Sequence, residues 1–257
     1  MRIALSIAGS DPSGGAGIQG DLKTFHRFGV YGTAVIALVT AQNTLGVSRV
    51  EVLDAELVAQ QLDAVLSDLP PHAVKTGALG SAGNIRAVAR AAREYGFPLV
   101  VDPVAAASDG SAFLNAEALA ALREELLPLA TLITPNLQEA AALTGLEVRD
   151  ADGMHRAAEA LGRLGARAVL LKGGHLQGAM STDLFYADGQ FVELPAARIE
   201  TRHTHGTGCA LSAAITAGLA HGQTLPEAIA AAKAFVTRAI ESNPGLGAGA
   251  GPLNFWA

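Results

Sequence analysis

Short apolar runs rich in Val, Ile and Leu alternate with segments of helical periodicity along most of the chain, and no other feature restricts the fold as tightly. Continuous apolar runs are what parallel strands need, because their crossover helices cover both faces of the sheet. Strands are predicted at 3–8, 32–39, 47–53, 73–76, 99–101, 131–134 and 168–171. Helices of crossover length are predicted between them at 17–28, 55–69, 82–95, 115–126, 137–144 and 153–164. The pattern then changes: 181–186 and 190–194 flank Ala187-Asp188-Gly189, whose Asp-Gly step marks an antiparallel hairpin. Two helices follow at 208–220 and 225–242, and a Gly-rich tail, 245–252, leads to Leu253-Asn254-Phe255-Trp256, whose aromatics favour docking over fraying. The expected architecture is α/β: a three-layer sandwich with a mostly parallel central sheet flanked by helices, ending in antiparallel edge strands. No low-complexity linker or internal repeat divides it, so residues 1–257 read as a single domain.

Half of the 257 residues are apolar and 16% are charged, enough for a sizeable core and incompatible with a disordered or collagen-like chain. Eighteen basic against twenty-four acidic residues give a net charge of -6 with no basic run to track a phosphate backbone, so nucleic acid is not an expected partner. No stretch approaches the ~18 to 20 apolar residues of a membrane helix. The run from Met1 to Gly9 is too short for a signal peptide and reads as a first strand, which leaves no membrane partner in view. A single cysteine, Cys209, can build neither an internal disulfide nor a thiolate cluster, and the chain reads as cytoplasmic. Four of the basic residues are lysines, at 23, 75, 172 and 233, so a lysine inside an apolar segment stands out.

Five constellations carry candidate chemistry. In Gly9-Ser10-Asp11-Pro12-Ser13-Gly14-Gly15-Ala16-Gly17-Ile18-Gln19-Gly20-Asp21, three glycines match GxGxxG, but the triplet starts several residues past the strand end and the second strand ends in Ala41-Gln42-Asn43, without an acid for a ribose. That leaves a structural turn, or a polar substrate loop with Asp21 and Gln42 as hydrogen-bonding groups. In His203-Thr204-His205-Gly206-Thr207-Gly208-Cys209-Ala210-Leu211-Ser212, small residues at a helix start let backbone N–H groups approach an anion. The alternative is an ordinary cap by Thr207 beside an inert Cys209. His203 and His205 lack a third metal ligand and read as two loop histidines. In Thr134-Pro135-Asn136-Leu137-Gln138-Glu139, Asn136 and Glu139 share the first turn of a helix, either as a functional pair or as a capping box. Asp102 and Lys172 each end a buried strand, where substrate-facing groups of open α/β sheets lie. Together these are the parts of phosphoryl transfer from a nucleotide with magnesium, and the lack of any Gly-Lys dipeptide excludes a Walker A loop.

The long motifs 8–19, 21–25, 40–44, 133–137, 172–175 and 203–209 resemble the ribokinase-like superfamily, and within it the hydroxymethylpyrimidine/phosphomethylpyrimidine kinases of thiamin biosynthesis. The resemblance implies a ribokinase-like fold and ATP-dependent phosphorylation of the hydroxymethyl group of 4-amino-5-hydroxymethyl-2-methylpyrimidine, then of its monophosphate. It places Gly9, Ala16, Asp21, Gln42 and Val104 in the pyrimidine pocket, and makes Cys209 the base within the catalytic Gly206-Thr207-Gly208-Cys209 turn. A helix-start thiolate would suit that task. Lys172 and Asn136 are assigned to the ATP phosphates, Asp102 and Glu139 to Mg2+, and a homodimer is expected. Two departures stand out: Ala78 follows Lys75-Thr76-Gly77 where the family has methionine, and Ser108-Asp109 replaces the lysine of a loop motif. The enlarged pocket keeps a pyridoxal or pyridoxamine kinase open as an alternative, and a nucleotide-binding regulator without catalysis as another.

Overall fold

The computed structural model describes residues 1–105, 113–174, 178 and 180–257; Ser108, Asp109 and His175 therefore lie outside the described residues. One nine-stranded sheet runs in the order β3-β2-β1-β4-β5-β6-β7-β8-β9. Its members are β1 (Ile3–Ser10), β2 (Tyr31–Asn43), β3 (Gly46–Val52), β4 (Ala73–Thr76), β5 (Leu99–Val101), β6 (Leu132–Ile133), β7 (Ala168–Leu171), β8 (Met180–Ala187) and β9 (Gln190–Ala197). Six strands, β2, β1, β4, β5, β6 and β7, are parallel, whereas β8 and β9 form the expected antiparallel hairpin. The predicted strand at 47–53 does not join the parallel set: β3 folds back on β2 through a short turn, which makes the opposite edge antiparallel as well. Two residues, Thr44 and Leu45, cannot hold a crossover helix, so a hairpin is the only connection that length allows.

Successive residues of the parallel strands face opposite layers, which is why their sequences read as unbroken apolar runs. Leu5, Ile7, Val74, Val101, Ile133, Val169 and Leu171 meet α2 (Ala55–Asp68), α3 (Ala82–Tyr95), α4 (Ala116–Ala121), α5 (Leu137–Thr144) and α6 (Ala151–Arg163). Their neighbours Ala4, Ala73, Val100, Leu132, Ala168 and Leu170 meet α1 (Gly17–Arg27), α7 (Thr207–Ala220) and α8 (Leu225–Glu241). Two residues break that second face: Ser6 and Lys75, in phase with Ala4 and Ala73, put polar groups under α1 and α7. The α7 helix is buried nearly all round, so its small uncharged residues are a packing requirement. The tail docks as expected through Leu253 and Phe255, but Trp256 is 82% exposed and takes no part.

Candidate active site

The chain order reverses at β1, with β2 on one side and β4 on the other, and in open α/β sheets the crevice outside the carboxyl ends at such a point receives ligands. Gly9 is the next-to-last residue of β1 there, Ala16 is the N-cap of α1, and Gln42 lies near the end of β2. Gln42 also lines an open cleft of about 660 Å³ beneath the β2–β3 turn, together with Pro12, Leu45 and Ser48. Val104 follows β5 and walls a small cavity of about 10 Å³ with Thr76 and Asp102.

A second group gathers at the ends of β5, β6 and β7. Asp102 is 2% exposed; its Oδ1 accepts from Lys172 Nζ at 3.0 Å and Thr134 Oγ1 at 3.0 Å, and its Oδ2 from Ser212 Oγ at 3.2 Å. Glu139 Oε2 lies 3.9 Å from the same ammonium. Asn136 and Glu139 do form a capping box on α5, with Asn136 Oδ1 accepting from Glu139 N and Glu139 Oε2 from Asn136 N. Asn136 also pairs as a parallel bridge with Lys172, so the cap and the cluster are one device rather than alternatives. Burial pushes the Glu139 carboxyl up to about 7 against the pull of Lys172, with Asp102 adding to the rise. Although burial opposes it, Asp102 is held below the usual carboxylate range by Lys172 and Lys75. Two carboxylates around one ammonium leave surplus negative charge, which suits a hydrated divalent cation bound mainly through water and phosphate. No three His, Cys, Asp or Glu groups among the described residues form a dedicated metal cage.

The α7 start closes over this group. Gly206, its N-cap, has φ +83°, and a side chain there would run into the Gly15 carbonyl. A Cβ on Gly208 would lie 3.1 Å from Lys172 Nζ and 3.8 Å from Asp102 Oδ2. Thr207 N bonds Thr204 O and Thr207 Oγ1 caps the same carbonyl, whereas the N–H groups of Gly208 and Cys209, at the second and third helical positions, have no intrahelical acceptor. Such a helix start, with the dipole behind it and Lys172 beside Gly208, can receive an anion.

Two expectations are corrected here. Asp21 is not a group open to a substrate: its carboxylate is fully enclosed, with Oδ1 accepting from Lys75 Nζ at 2.8 Å and Oδ2 from Ser6 Oγ at 2.5 Å. It acts on the site through Lys75. The Cys209 thiol is half-buried and is not a ready thiolate, because burial pushes it up to about 11, with Lys75 pulling the other way and Asp21 and Asp102 adding to the rise. Desolvation outweighs the helix start.

Three further residues belong to the site. Lys75 is completely buried in β4, and although burial works against its charge, Asp21, Cys209 and Asp102 hold it protonated above its usual range. The scarcity of lysines in the sequence is the signal that marks it. Asp11 and His205 carry no such signal. His205 is no loose loop histidine: it is 7% exposed and its Nε2 lies 2.8 Å from Asp11 Oδ2. Asp11 also accepts from Ser13 Oγ and the backbone N–H groups of Ser13, Gly15 and Ala16. Against the cost of burial, His205 and Ser13 bring its carboxyl down to about 2.

A helix start above a lysine and two carboxylates at the carboxyl edge of this sheet, in a chain that superposes on a pyridoxal kinase, defines a phosphotransferase of the ribokinase-like fold. The phosphomethylpyrimidine kinase family model matches residues 11–254, and the chain belongs to that family. A hydroxymethylpyrimidine/phosphomethylpyrimidine kinase of Rhizobium meliloti is 56% identical over 98% of this chain and 96% of its own. Among solved structures, pyridoxal kinase from Staphylococcus aureus in complex with AMP-PCP and pyridoxal superposes with a TM-score of 0.93 at 36% identity, covering 100% of this chain and 94% of the other. A phosphomethylpyrimidine kinase of Clostridium difficile gives 0.83 at 42% identity, covering 93% of this chain and all of its own. No helix among the described residues is long and apolar enough to cross a membrane.

Proposed function

We propose that this chain, as one domain over residues 1–257, transfers the γ-phosphoryl group of ATP to the hydroxymethyl group of 4-amino-5-hydroxymethyl-2-methylpyrimidine, and then phosphorylates the monophosphate, in thiamin biosynthesis. The observation that carries the reading is the position of Gly208, whose backbone sits directly above Lys172 and Asp102, so that one phosphate reaches both the N–H groups of α7 and the ammonium. The full-length relative at 56% identity supports the substrate.

Lys172 and the α7 N–H groups hold and orient the transferring phosphate, and Asn136 fixes the α5 start beside them. Asp102 and Glu139 would hold Mg2+ through its waters, and the ion would neutralise charge building on the phosphate oxygens. Gly9, Ala16, Gln42 and Val104 line the approach of the ring. Cys209 takes the proton of the attacking hydroxyl. In a loose transition state that proton leaves late, so a strong but rarely ionised base serves. The high thiol pKa describes such a base. The edge strand β3, with Val52 exposed and Leu45 exposed in the turn before it, supports a homodimer that covers this edge; the expected location is the cytoplasm.

A second reading rests on Ala78, which is nearly buried beside Gly9 and leaves room where the family has methionine. That room suits pyridoxal as an additional substrate. ADP release measured with the pyrimidine alcohol, its monophosphate and pyridoxal tests both readings. The expected result is highest kcat/KM with the pyrimidine alcohol; turnover of pyridoxal alone would overturn the first reading in favour of the second.

A further inference from the structure

Asp11, His205 and Gln42 come from three separate segments, the β1–α1 loop, the turn before α7 and the end of β2, and meet at one point. His205 Nε2 lies 2.8 Å from Asp11 Oδ2 and 3.5 Å from the Gln42 amide. An ionised carboxylate only accepts, so Nε2 carries the proton and donates it to Asp11. The other end of the Gln42 amide lies 3.2 Å from Thr40 Oγ1, which is itself 3.0 Å from the Ser10 carbonyl.

The oxygen and nitrogen of a Gln amide exchange places by a half-turn, and the hydrogen-bond network decides between them. The Thr40 hydroxyl has one proton, and the Ser10 carbonyl can only accept it. Thr40 Oγ1 then has only lone pairs for Gln42, which requires the amide NH2 on that side. The amide oxygen is left facing His205 Nε2–H, where an NH2 group would set donor against donor. The single Nε2 proton belongs mainly to Asp11, so the amide oxygen meets it only as a longer, shared contact, but that orientation alone avoids donor against donor at both ends.

We infer that His205, clamped by Asp11, is a specificity-determining positioning residue: it fixes which way the Gln42 amide points, and so which ring edge of the alcohol substrate the amide can pair with. The inference rests on Gln42 facing the ring, as in the reading above. Gln42 has its remaining N–H and oxygen lone pair to present in a set order. A 4-amino pyrimidine edge and a 4-oxo edge carry opposite donor and acceptor orders, so a locked amide discriminates between them whereas a free one adapts to either.

The test compares kcat and KM for 4-amino-5-hydroxymethyl-2-methylpyrimidine and its 4-oxo analogue in the wild type, His205→Leu and His205→Gln. In His205→Leu the ratio of kcat/KM between the two alcohols is expected to fall by about tenfold, the worth of one hydrogen bond, through KM for the alcohol. The KM for ATP should stay within about threefold. His205→Gln, whose amide N–H can still reach Asp11 Oδ2, should restore the discrimination. An unchanged ratio in His205→Leu, or equal losses for both alcohols and for ATP, would overturn the inference. Should His205→Leu fail to fold, the His205→Gln ratio alone decides: a ratio as low as that of a Gln42→Leu control refutes the lock. The 15N NMR tautomer of His205 separates this from the choice of substrate. An Nε2–H tautomer in the wild type that is lost in Asp11→Asn supports the clamp even if another alcohol is the substrate, whereas an Nδ1–H tautomer refutes it.

Discussion

Replacing Lys75 by methionine should destabilise the chain by about 3–5 kcal/mol, the cost of leaving one member of a buried ion pair without the other. The magnitude follows from the geometry: both side chains are wholly enclosed, Nζ and Oδ1 are 2.8 Å apart, and Ser6 is the other hydrogen-bond partner of Asp21. No solvent screening reduces that cost. Without Lys75 the Asp21 carboxyl, already pushed up by burial, rises further, so the native state holds a proton there that the unfolded chain releases. The sign follows: the variant's stability falls as pH rises above the unfolded carboxyl value, and the penalty is larger at pH 8 than at pH 5. The double variant Lys75→Met/Asp21→Asn keeps the acceptor for Ser6, removes both charges, and should recover most of the loss. Urea denaturation of wild type, both single variants and the double variant at the two pH values gives the coupling energy. A Lys75→Met cost below about 1 kcal/mol, or single costs that simply add in the double variant, would refute an interdependent buried pair.

Because the Cys209 thiol is pushed up to about 11, kcat/KM for the alcohol should climb about tenfold per pH unit from 7 to 9, a limb absent from Cys209→Ser in the same pH-rate series. Gly208→Ala places a methyl group 3.1 Å from Lys172 Nζ, and initial-rate kinetics should show a rise of about tenfold in KM for ATP with little change in that for the alcohol. Glu139→Gln keeps the capping acceptor but removes a carboxylate raised to about 7 in the fold, a group that costs stability as pH rises from the unfolded value through 7. Denaturation at pH 8 should find the variant more stable by about 1–3 kcal/mol, while its phosphoryl transfer falls. On the sequence alone, Ser108→Lys should improve kcat/KM for the monophosphate over that for the alcohol, since Asp109 stands where a cation would ease the approach of two phosphate groups.

The layers of this fold were legible because burial on both faces writes itself into β5 to β7 as unbroken apolar runs, and because Asp188-Gly189 can hardly be anything but a hairpin turn. The direction of β3 was not, although Ser48, Arg49 and Glu51 set it apart from the buried parallel strands and the two-residue connection, Thr44-Leu45, allows only a reversal. The same division runs through the site. Residues that end strands, Asp102 and Lys172, and those that open helices, Asn136, Glu139 and Gly206 to Cys209, are placed by chain geometry that a sequence reveals. Asp11, Lys75 and His205 act through partners 194 or 54 residues away, and no local pattern encodes such a meeting. Charge state is the hardest to read. The helix start argues for a thiolate at Cys209, but the enclosure supplied by distant α1 and β4 argues more strongly for a thiol, and desolvation belongs to the assembled fold rather than to any segment of it.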